Sequence, residues 1–272
     1  MISAAALALA APAALADTTD SSNWAGYAVH RSGVRYREVA AVWRQPSVRC
    51  TAREPSYSAA WIGLGGYSVT SSALEQIGTE VDCSFAGQVR SSVWYELVPA
   101  PSRAVKLTVR PGDLIEASVN VVGHTVWVSL ADLTGHRSFT KTLRPSSVDV
   151  SSAEWIIEAP SDCISATVCQ TLPLANFGSA TFGGAAAVSS TGLAGSISSR
   201  AWGATTINLI QGGRRFVSSG VPASLNGAAL TSALAARGTS FTVTYAELPV
   251  PGNPFFARSA SLQAGYLVHP GR

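Results

Sequence analysis

The sequence predicts an all-β protein in which two antiparallel sheets pack as a sandwich. From residue 17 onward, short runs rich in Val, Thr, Ser, Trp and Tyr are broken by Gly, Pro and Asn, as in strands joined by turns. Long apolar patterns with the helical period of about 3.6 residues are missing. Turn sequences such as Arg110-Pro111-Gly112-Asp113 support the same interpretation. Many short strands at this spacing indicate two packed sheets.

Each such run between two turn signals is predicted to be a strand. The predicted strands are residues 22–28, 39–44, 58–62, 74–83, 91–97, 105–109, 114–122, 125–132, 138–143, 153–158, 180–182, 205–210 and 241–245. The Gly/Ala/Ser-rich stretch 183–199 is expected to form a long loop or a thin edge strand. The only predicted helix is the short Ala-rich segment 225–237.

The N-terminal residues predict export. Residues 1–16 form an Ala/Leu-rich run that ends in small residues, as a signal peptide does, although a basic n-region is missing. The run is too short for a membrane span, which needs roughly 20 apolar residues. We expect a secreted chain with one β domain at 17–245. A Pro-rich tail at 246–272 cannot form a central strand.

The charge balance argues against a nucleic-acid partner. The chain carries 19 Lys+Arg and 16 Asp+Glu, a net charge of +3, and only 13% of its residues are charged. A group of arginines between Arg31 and Arg53 is not interleaved with aromatic residues, so a solvated face is the expected interpretation.

Four cysteines in an exported chain predict two disulfides, for which three pairings are possible. Cys163 and Cys169 close a short polar loop and are expected to pair, which leaves Cys50 for Cys83. Because the sequence contains no CxxC motif and its histidines are far apart, no metal site and no cofactor are predicted.

The segment 153–158 places a carboxylate at the end of an apolar strand. Strand alternation puts Glu154, Ile156 and Glu158 on one side. Next to Ile157 and Pro160, Glu158 is expected to be partly desolvated, which raises the pKa of a carboxyl group and suits it to proton transfer. The alternative, Glu158 on a solvated edge, stays open from this segment alone.

The segment 74–80 places an amide on an apolar strand face. Alternation puts Leu74, Gln76 and Gly78 together, so Gln76 is expected in the core or in a cleft, where its amide needs partners. A Gln in a cleft can donate an N–H to a developing oxyanion and accept from an attacking water. A hydrogen-bonded core amide is the equally open alternative.

Five segments in one order resemble the glutamic peptidases, or eqolisins. Family segments S-N-W-x-G, A-W-x-G-x-D-G, L-x-Q-x-G, W-Y-E and A-E-[FW]-I-I-E fall in the same sequence. The matching segments here are Ser22-Asn23-Trp24-Ala25-Gly26, Ala60-Trp61-Ile62-Gly63, Leu74-Glu75-Gln76-Ile77-Gly78, Trp94-Tyr95-Glu96 and Ala153-Glu154-Trp155-Ile156-Ile157-Glu158. The likeness is weaker after Cys163 and ends near Tyr245.

The resemblance implies a concanavalin A/legume-lectin-like jelly roll with a cleft on its concave face. It also implies a secreted endopeptidase that acts on protein or peptide substrates at acidic pH, without a cofactor and as a monomer. The residues that match family positions are Glu158 and Gln76 as the catalytic pair, Trp24 and Trp61 as cleft aromatics, Glu96 as an acid near the cleft, and Glu80 as a further carboxylate.

The chain departs from the family pattern at the cleft rim. Gly65 stands where the family has Asp in A-W-x-G-x-D-G, so we expect the loss of a charge and of a hydrogen-bond acceptor there. The net charge of +3 also differs from the acidic character of the family's acid-secreted members.

Two other functions remain open from the sequence. A glycosidase on the same sandwich would use two carboxylates, Glu158 with Glu154 or Glu96. A sugar-binding module without catalysis would use exposed aromatic rings, and its candidates are Trp61, Trp94 and Trp155. No G-x-S-x-G motif supports a serine hydrolase.

Overall fold

The structure, a computed structural model, describes residues 17–165, 168–217 and 226–248, without the side chains of 163–165 and 168. The predicted signal peptide 1–16 and nearly all of the predicted tail lie outside the described residues. The strands are β1 Asp17–Ser21, β2 Trp24–His30, β3 Tyr36–Arg44, β4 Ser56–Gly65, β5 Leu74–Cys83, β6 Val89–Val98, β7 Arg103–Val105, β8 Leu114–Val122, β9 Thr125–Asp132, β10 Arg137–Leu143, β11 Ser152–Glu158, β12 Ser161–Ser165, β13 Val168–Thr171, β14 Ser179–Ser189, β15 Ala194–Ser196, β16 Gly203–Leu209, β17 Gly227–Thr231 and β18 Phe241–Glu247.

Most of the strands lie in one continuous hydrogen-bonded order, β10-β9-β8-β3-β14-β18-β17-β16-β2-β11-β4-β5-β6-β7. This order folds into two facing layers, because β3 and β8 of the first part pack against β4, β5 and β11 of the second. Two indole N–H groups join the layers: Trp155 donates to the Ala40 carbonyl at 3.0 Å, and Trp43 donates to the Thr79 hydroxyl at 3.0 Å. The predicted all-β antiparallel sandwich is confirmed.

The main core fills the space between the layers. Along β11, Trp155 and Ile157 point into this core, whereas Ile156 belongs to a second apolar cluster on the opposite face of the sheet. Strand β4 alternates in the same way, with Ile62 in the main core and Trp61 in the second cluster. The period of two therefore gives the second layer an inner face for stability and an outer face that can carry a site. This outer face corresponds to the concave face that the family resemblance implies, and we call it the concave face.

Several predicted strands have the observed bounds, whereas the predicted helix is wrong. Strands 74–83, 114–122 and 125–132 agree at both ends. Within 225–237, the described residues form β17 and a single 3₁₀ turn, Ala236–Gly238. Ala229 is buried and Leu230 is exposed on β17, which pairs with β18. Sheet pairing overrides the weak helical preference of an Ala-rich segment.

The Gly/Ala/Ser-rich stretch 183–199 contains the second half of an interior strand, a turn and the short strand β15, which pairs with β14 at the edge as a thin edge strand does. β14 runs through residues 179–189 and pairs with β3 on one side and β18 on the other, which makes it an interior strand. Ala180, Ala185 and Ala187 of β14 are buried between the layers. Of the predicted strand 105–109, only Val105 lies in a strand, β7, and the sequence patterns also missed β1, β12 and β13.

The structure contains the predicted Cys50–Cys83 disulfide, with a Cα–Cα distance of 5.2 Å. Cys169 is also disulfide-bonded. The backbones of Cys163 and Cys169 face each other directly in the β12–β13 pair, as their predicted pairing requires. Among the helices in the described part of the chain, none is long and apolar enough to cross a membrane.

Candidate active site

Strand register places the predicted site residues on the concave face, with Gln76 and Glu158 four residues apart in the pairing register. Gln76 on β5 lies opposite Glu96 on β6 and opposite Gly63 on β4, and Gly63 lies opposite Glu154 on β11. These four residues form one row across the sheet. A row is a set of directly paired residues whose side chains share one face.

A second row lies four residues further along β11. Glu158 pairs with Trp24 on β2 and with Ala59 on β4, and Ala59 pairs with Glu80 on β5. Between the two rows Trp61 lies opposite Gly78, where a Cβ atom would come within 2.5 Å of the Trp61 Cβ. The L-x-Q-x-G motif thus supplies Gln76 and, two residues later, the space that Trp61 needs.

The Glu158 carboxylate is held by two donors. The Trp61 indole N–H donates to its Oε2 at 2.8 Å, and the Asn23 amide donates to its Oε1 at 3.4 Å. Part of the residue remains exposed, whereas both donors are buried. Asn23 from the first family segment and Trp61 from the second therefore both bond to the Glu158 carboxylate of the fifth segment. They fix its position from two sides.

Burial raises the pKa of Glu158 to about 7, and the negative charge of Glu96 adds to the shift. The hydrogen bonds from Trp61 and Trp24 and the positive charge of Arg215 oppose it. A carboxyl group with a pKa near neutrality accepts a proton more readily than an ordinary Glu, and it still returns the proton to a stronger base.

Gln76 is buried, with 4% of its surface exposed, and its orientation is set by Glu96. The Gln76 Nε2 donates to Glu96 Oε2 at 2.6 Å. Its Oε1 has no hydrogen-bond partner within the described residues. Because Glu96 accepts from one amide hydrogen, the second hydrogen and the carbonyl oxygen are left to serve a substrate or a water.

Glu96 and Glu80 are partly buried carboxyls on the same concave face. Burial raises the pKa of Glu96, and the hydrogen bonds from Gln76 and from the Ser102 backbone oppose the shift. Burial also raises the pKa of Glu80, against a hydrogen bond from Ser92. Asp82, two residues after Glu80 on β5, has its pKa raised to about 8 by burial and by the Glu80 charge. The concave face therefore favours protonated acids.

The predicted cleft aromatics lie beneath a wall formed by residues 214–217. Trp24 stacks on Phe216 with ring centroids 4.5 Å apart and meets Trp61 edge-on at 5.0 Å. Trp24 and Trp61 expose 1% and 0% of their surfaces. They shape the floor of the site through packing, and little of either ring is available to a ligand in this state.

Sequence reasoning missed the residues that complete this wall. Asn23 holds Phe216 by both backbone groups, since its Oδ1 accepts from Phe216 N at 3.1 Å and its Nδ2 donates to Phe216 O at 3.2 Å. The Arg214 guanidinium lies 4.0 Å from the Phe216 ring centroid and 4.8 Å from that of Tyr67. The basic and aromatic run Arg214-Arg215-Phe216 was the available signal, but only the fold places it beside Glu158.

The cleft rim at Gly65 keeps a carboxylate, which corrects the expectation that this charge and acceptor are lost. A Cβ atom on Gly65 would lie 2.6 Å from the Asp149 Cβ. The Asp149 carboxylate accepts from Gly66 N at 3.3 Å, from Ser151 N at 2.8 Å and from the Ser71 hydroxyl. These bonds lower the pKa of Asp149 although burial raises it. Asp149, in the connection between β10 and β11, thus supplies the carboxylate at the cleft rim.

Glu154, at the opposite end of β11 from Glu158, is sealed from solvent. It exposes 0% of its surface, and its oxygens have no hydrogen-bond partner within the described residues. Burial raises its pKa well above the ordinary value, opposed by the nearby Ser152 hydroxyl, while the charges of Asp149 and Glu75 raise it further. The part of the chain that the structure describes holds no cluster of three or more metal-ligating side chains.

Comparisons with known proteins point to one family. The chain matches the sequence profile of the peptidase A4 family over residues 22–245. No curated protein sequence matches it. Among solved structures, it is similar to the aspergilloglutamic peptidase from Aspergillus niger, at 27% identity and a TM-score of 0.55, over 70% of this chain and 99% of that one.

Two further solved structures share the fold. Scytalido-glutamic peptidase with a peptide-based transition state analogue is 24% identical with a TM-score of 0.64, over 82% of this chain and 98% of that one. SCP-B, an eqolisin in complex with the tripeptide Ala-Ile-His, is 23% identical with a TM-score of 0.62 over the same shares. The profile match spans the sandwich and all five sequence segments, so the chain belongs to the peptidase A4 family and is a glutamic endopeptidase.

Proposed function

We propose that the protein hydrolyses peptide bonds with Glu158 as acid and base and Gln76 as oxyanion donor, without a covalent intermediate. The observation that carries this proposal is the state of the two side chains. Glu158 is held by Trp61 and Asn23 at a pKa of about 7, while Gln76 is buried and oriented by Glu96. Glu158 can therefore accept and release a proton, and Gln76 can donate a hydrogen bond from a fixed position.

The first step is addition of water to the substrate. Ionised Glu158 removes a proton from a water molecule as the water oxygen bonds to the carbonyl carbon of the scissile peptide. The carbonyl π electrons move to its oxygen, which becomes an oxyanion. The Gln76 N–H donates to that oxyanion, and removal of one such donor costs about 3–4 kcal/mol in other hydrolases.

The second step breaks the C–N bond. Protonated Glu158 transfers its proton to the leaving nitrogen as the tetrahedral intermediate collapses, so one product leaves as an amine and the other as a carboxylic acid. Glu158 regains its charge, and no atom of the enzyme has been exchanged. The same carboxyl serves as base and then as acid, which requires a pKa between those of its two partners.

The pH range of the reaction follows from Glu158. With a pKa of about 7 in the free enzyme, the ionised fraction falls about tenfold for each pH unit below that value. Activity at acidic pH, which the resemblance implies, therefore depends on groups that favour the ionised form. Trp61, Trp24 and Arg215 are the groups in the site that act in this direction.

The substrates that we propose are proteins and peptides outside the cell, reached through the signal peptide at residues 1–16. The concave face offers carboxyl groups and the Gln76 amide to an extended chain. Family members with a bound tripeptide or a peptide-based analogue support a peptide as occupant.

The burial of the site argues against the two other functions. Glu154 is sealed and Glu96 is bonded to Gln76, so neither is a ready second carboxylate for a glycosidase. The rings of Trp61 and Trp155 are fully buried, so of the three proposed sugar-stacking rings only Trp94 keeps partial exposure.

Two variants with matched controls test the proposal on a denatured protein substrate. Glu158→Gln should lower kcat/KM by roughly 10³-fold or more, and Gln76→Ala by about 10²–10³-fold, with the fold retained. The exposed residues Glu116 and Gln88 provide the controls Glu116→Gln and Gln88→Ala, which should match wild type. Wild-type rates in Glu158→Gln between about pH 3 and 7 would reject the assignment.

A further inference from the structure

Arg215 is a cation beside the proposed catalytic carboxylate that the family segments do not include. Its neighbours in the chain, Arg214 and Phe216, are both hydrogen-bonded to the segment that precedes β2. The Ser22 N–H donates to the Arg214 carbonyl at 2.8 Å, and Asn23 holds both backbone groups of Phe216. Since Asn23 also donates to Glu158, the backbone of Arg215 is fixed to the group that positions the carboxylate.

The guanidinium is fixed from the other side as well. Its two terminal nitrogens donate to the hydroxyls of Thr171 and Ser161. These two residues face each other at the base of the β12–β13 pair, and Ser161 follows Glu158 by three positions. Arg215 is half-buried, and hydrogen bonds fix both its guanidinium and the backbone on either side of it. Its positive charge therefore has a fixed position.

The charges that face Glu158 come from three parts of the fold. Strand β6 contributes Glu96 and the 214–217 wall contributes Arg215, and both act on the carboxylate through space. Strand β5 places Glu80 in the same row without a direct contact. The remaining groups are neutral: Asn23 just before β2, Trp24 on β2 and Trp61 on β4. Arg215 is thus the cation among the described groups that opposes burial and Glu96.

We propose that Arg215 is a positioning residue of this peptidase, whose fixed positive charge increases the ionised fraction of Glu158 and so extends hydrolysis toward lower pH. The inference rests on the proposed role of Glu158 as the base. Burial lowers the pKa of Arg215, and the Glu158 charge opposes that change, which is the reciprocal of the effect on Glu158. An Arg remains charged across the whole working range, so its effect does not itself titrate.

The test compares Arg215→Gln, Arg215→Lys and the control Arg110→Gln, an exposed arginine on a turn. In the kcat/KM profile, Arg215→Gln should move the acid limb upward by about 0.5–1.5 pH units, as expected for loss of one nearby charge. Arg215→Lys should restore most of the shift, and Arg110→Gln should leave the limb unchanged. An unmoved limb in Arg215→Gln, or an equal shift in Arg215→Lys, would overturn the proposal.

A direct titration covers the case in which Arg215→Gln has no activity. The Glu158 carboxyl signal in a ¹³C NMR spectrum is assigned by its loss in Glu158→Gln and followed with pH in folded Arg215→Gln. A higher Glu158 pKa than in wild type supports the inference, and an equal or lower one rejects it. This readout is independent of the proposed function, which fails separately if Glu158→Gln remains active.

Discussion

Strand β11 carries a glutamate toward each end, both on the same face, and the two glutamates lie in different environments. Glu158 is partly exposed and receives hydrogen bonds from Trp61 and Asn23. Glu154 is fully buried, and its oxygens have no partner within the described residues. Burial raises the pKa of Glu158 to about 7 and raises that of Glu154 well above its ordinary value. One carboxyl can change its charge during a reaction, and the other stays neutral.

The difference comes from what lies around each carboxyl. Near Glu158 are two N–H donors and a cation, which stabilise a carboxylate that burial would otherwise neutralise. Near Glu154 are the acids Asp149 and Glu75, which increase the cost of charge. Residue type and strand position are therefore insufficient to assign a function within the A-E-W-I-I-E segment, because the donors decide which Glu is usable.

The largest effect separates the two glutamates by activity. Glu158→Gln should lower kcat/KM by roughly 10³-fold or more, whereas Glu154→Gln should stay within about threefold of wild type, because a neutral acid and an amide have the same charge and similar shape. The measurement is hydrolysis of one peptide substrate by both variants at a single pH. If Glu154→Gln is as impaired as Glu158→Gln, the sealed end takes part in the reaction and the contrast is wrong.

Much of this contrast was accessible from the sequence, and the remainder was not. Alternation placed Glu154, Ile156 and Glu158 on one face and Gln76 with Leu74, and the five ordered segments indicated the family. The sequence could not show that Asp149 lies against Gly65, or that residues 214–217 pack on Trp24. Both contacts join segments far apart in the chain, and their geometry depends on tertiary packing rather than on local pattern.

The predicted helix 225–237 failed for the same reason. Alanine favours a helix in isolation, but the described residues there complete the pairing between β16 and β18. Conversely, the exact bounds of β5, β8 and β9 follow from strong alternation and clear turns, which are local signals. Local chemistry predicts elements well where it is strong, and the neighbouring strands decide where it is weak.

The second prediction concerns the stability that a buried carboxyl group at the sealed end contributes. Burial raises the pKa of Glu75 to about 8, so the folded state binds this proton more tightly than the unfolded state. The contribution of Glu75 to the free energy of unfolding is therefore fully present at or below the unfolded pKa of about 4.5. It falls by about 3–5 kcal/mol as the pH rises toward 8. Urea unfolding at pH 5 and pH 8 measures the loss.

Two variants assign that loss to the sealed end. Glu75→Gln should remove most of its share of the pH dependence, since the amide does not ionise. The exposed Glu116→Gln should leave the dependence unchanged. A Glu75→Gln protein that loses as much stability between pH 5 and pH 8 as wild type would show that other groups control the dependence.

The third prediction weakens the donors at the other end. Trp61→Phe removes the N–H that reaches Glu158 Oε2 at 2.8 Å and keeps an aromatic ring. Loss of a hydrogen bond to a charged group should raise the pKa of Glu158 and shift the acid limb of kcat/KM upward by about one pH unit. Trp127→Phe, on an exposed ring of β9, is the control. An unshifted limb would mean that the indole N–H does not stabilise the carboxylate.

The smallest effect is expected from Asp149, whose charge adds to the effect of burial on the pKa of Glu154. Asp149→Asn removes a negative charge next to Glu154 and Glu75. The amide oxygen can still accept from one of the Gly66 and Ser151 N–H groups, which bond to different oxygens of Asp149. The pKa of both glutamates should fall, so less stability is lost at pH 8 than in wild type, by about 0.5–1 kcal/mol. Urea unfolding of Asp149→Asn at pH 5 and pH 8, beside wild type, measures this difference. A larger loss of stability in Asp149→Asn than in wild type would contradict this prediction. It would show that the hydrogen bonds of the Asp149 carboxylate stabilise the rim more than its charge repels the neighbouring glutamates.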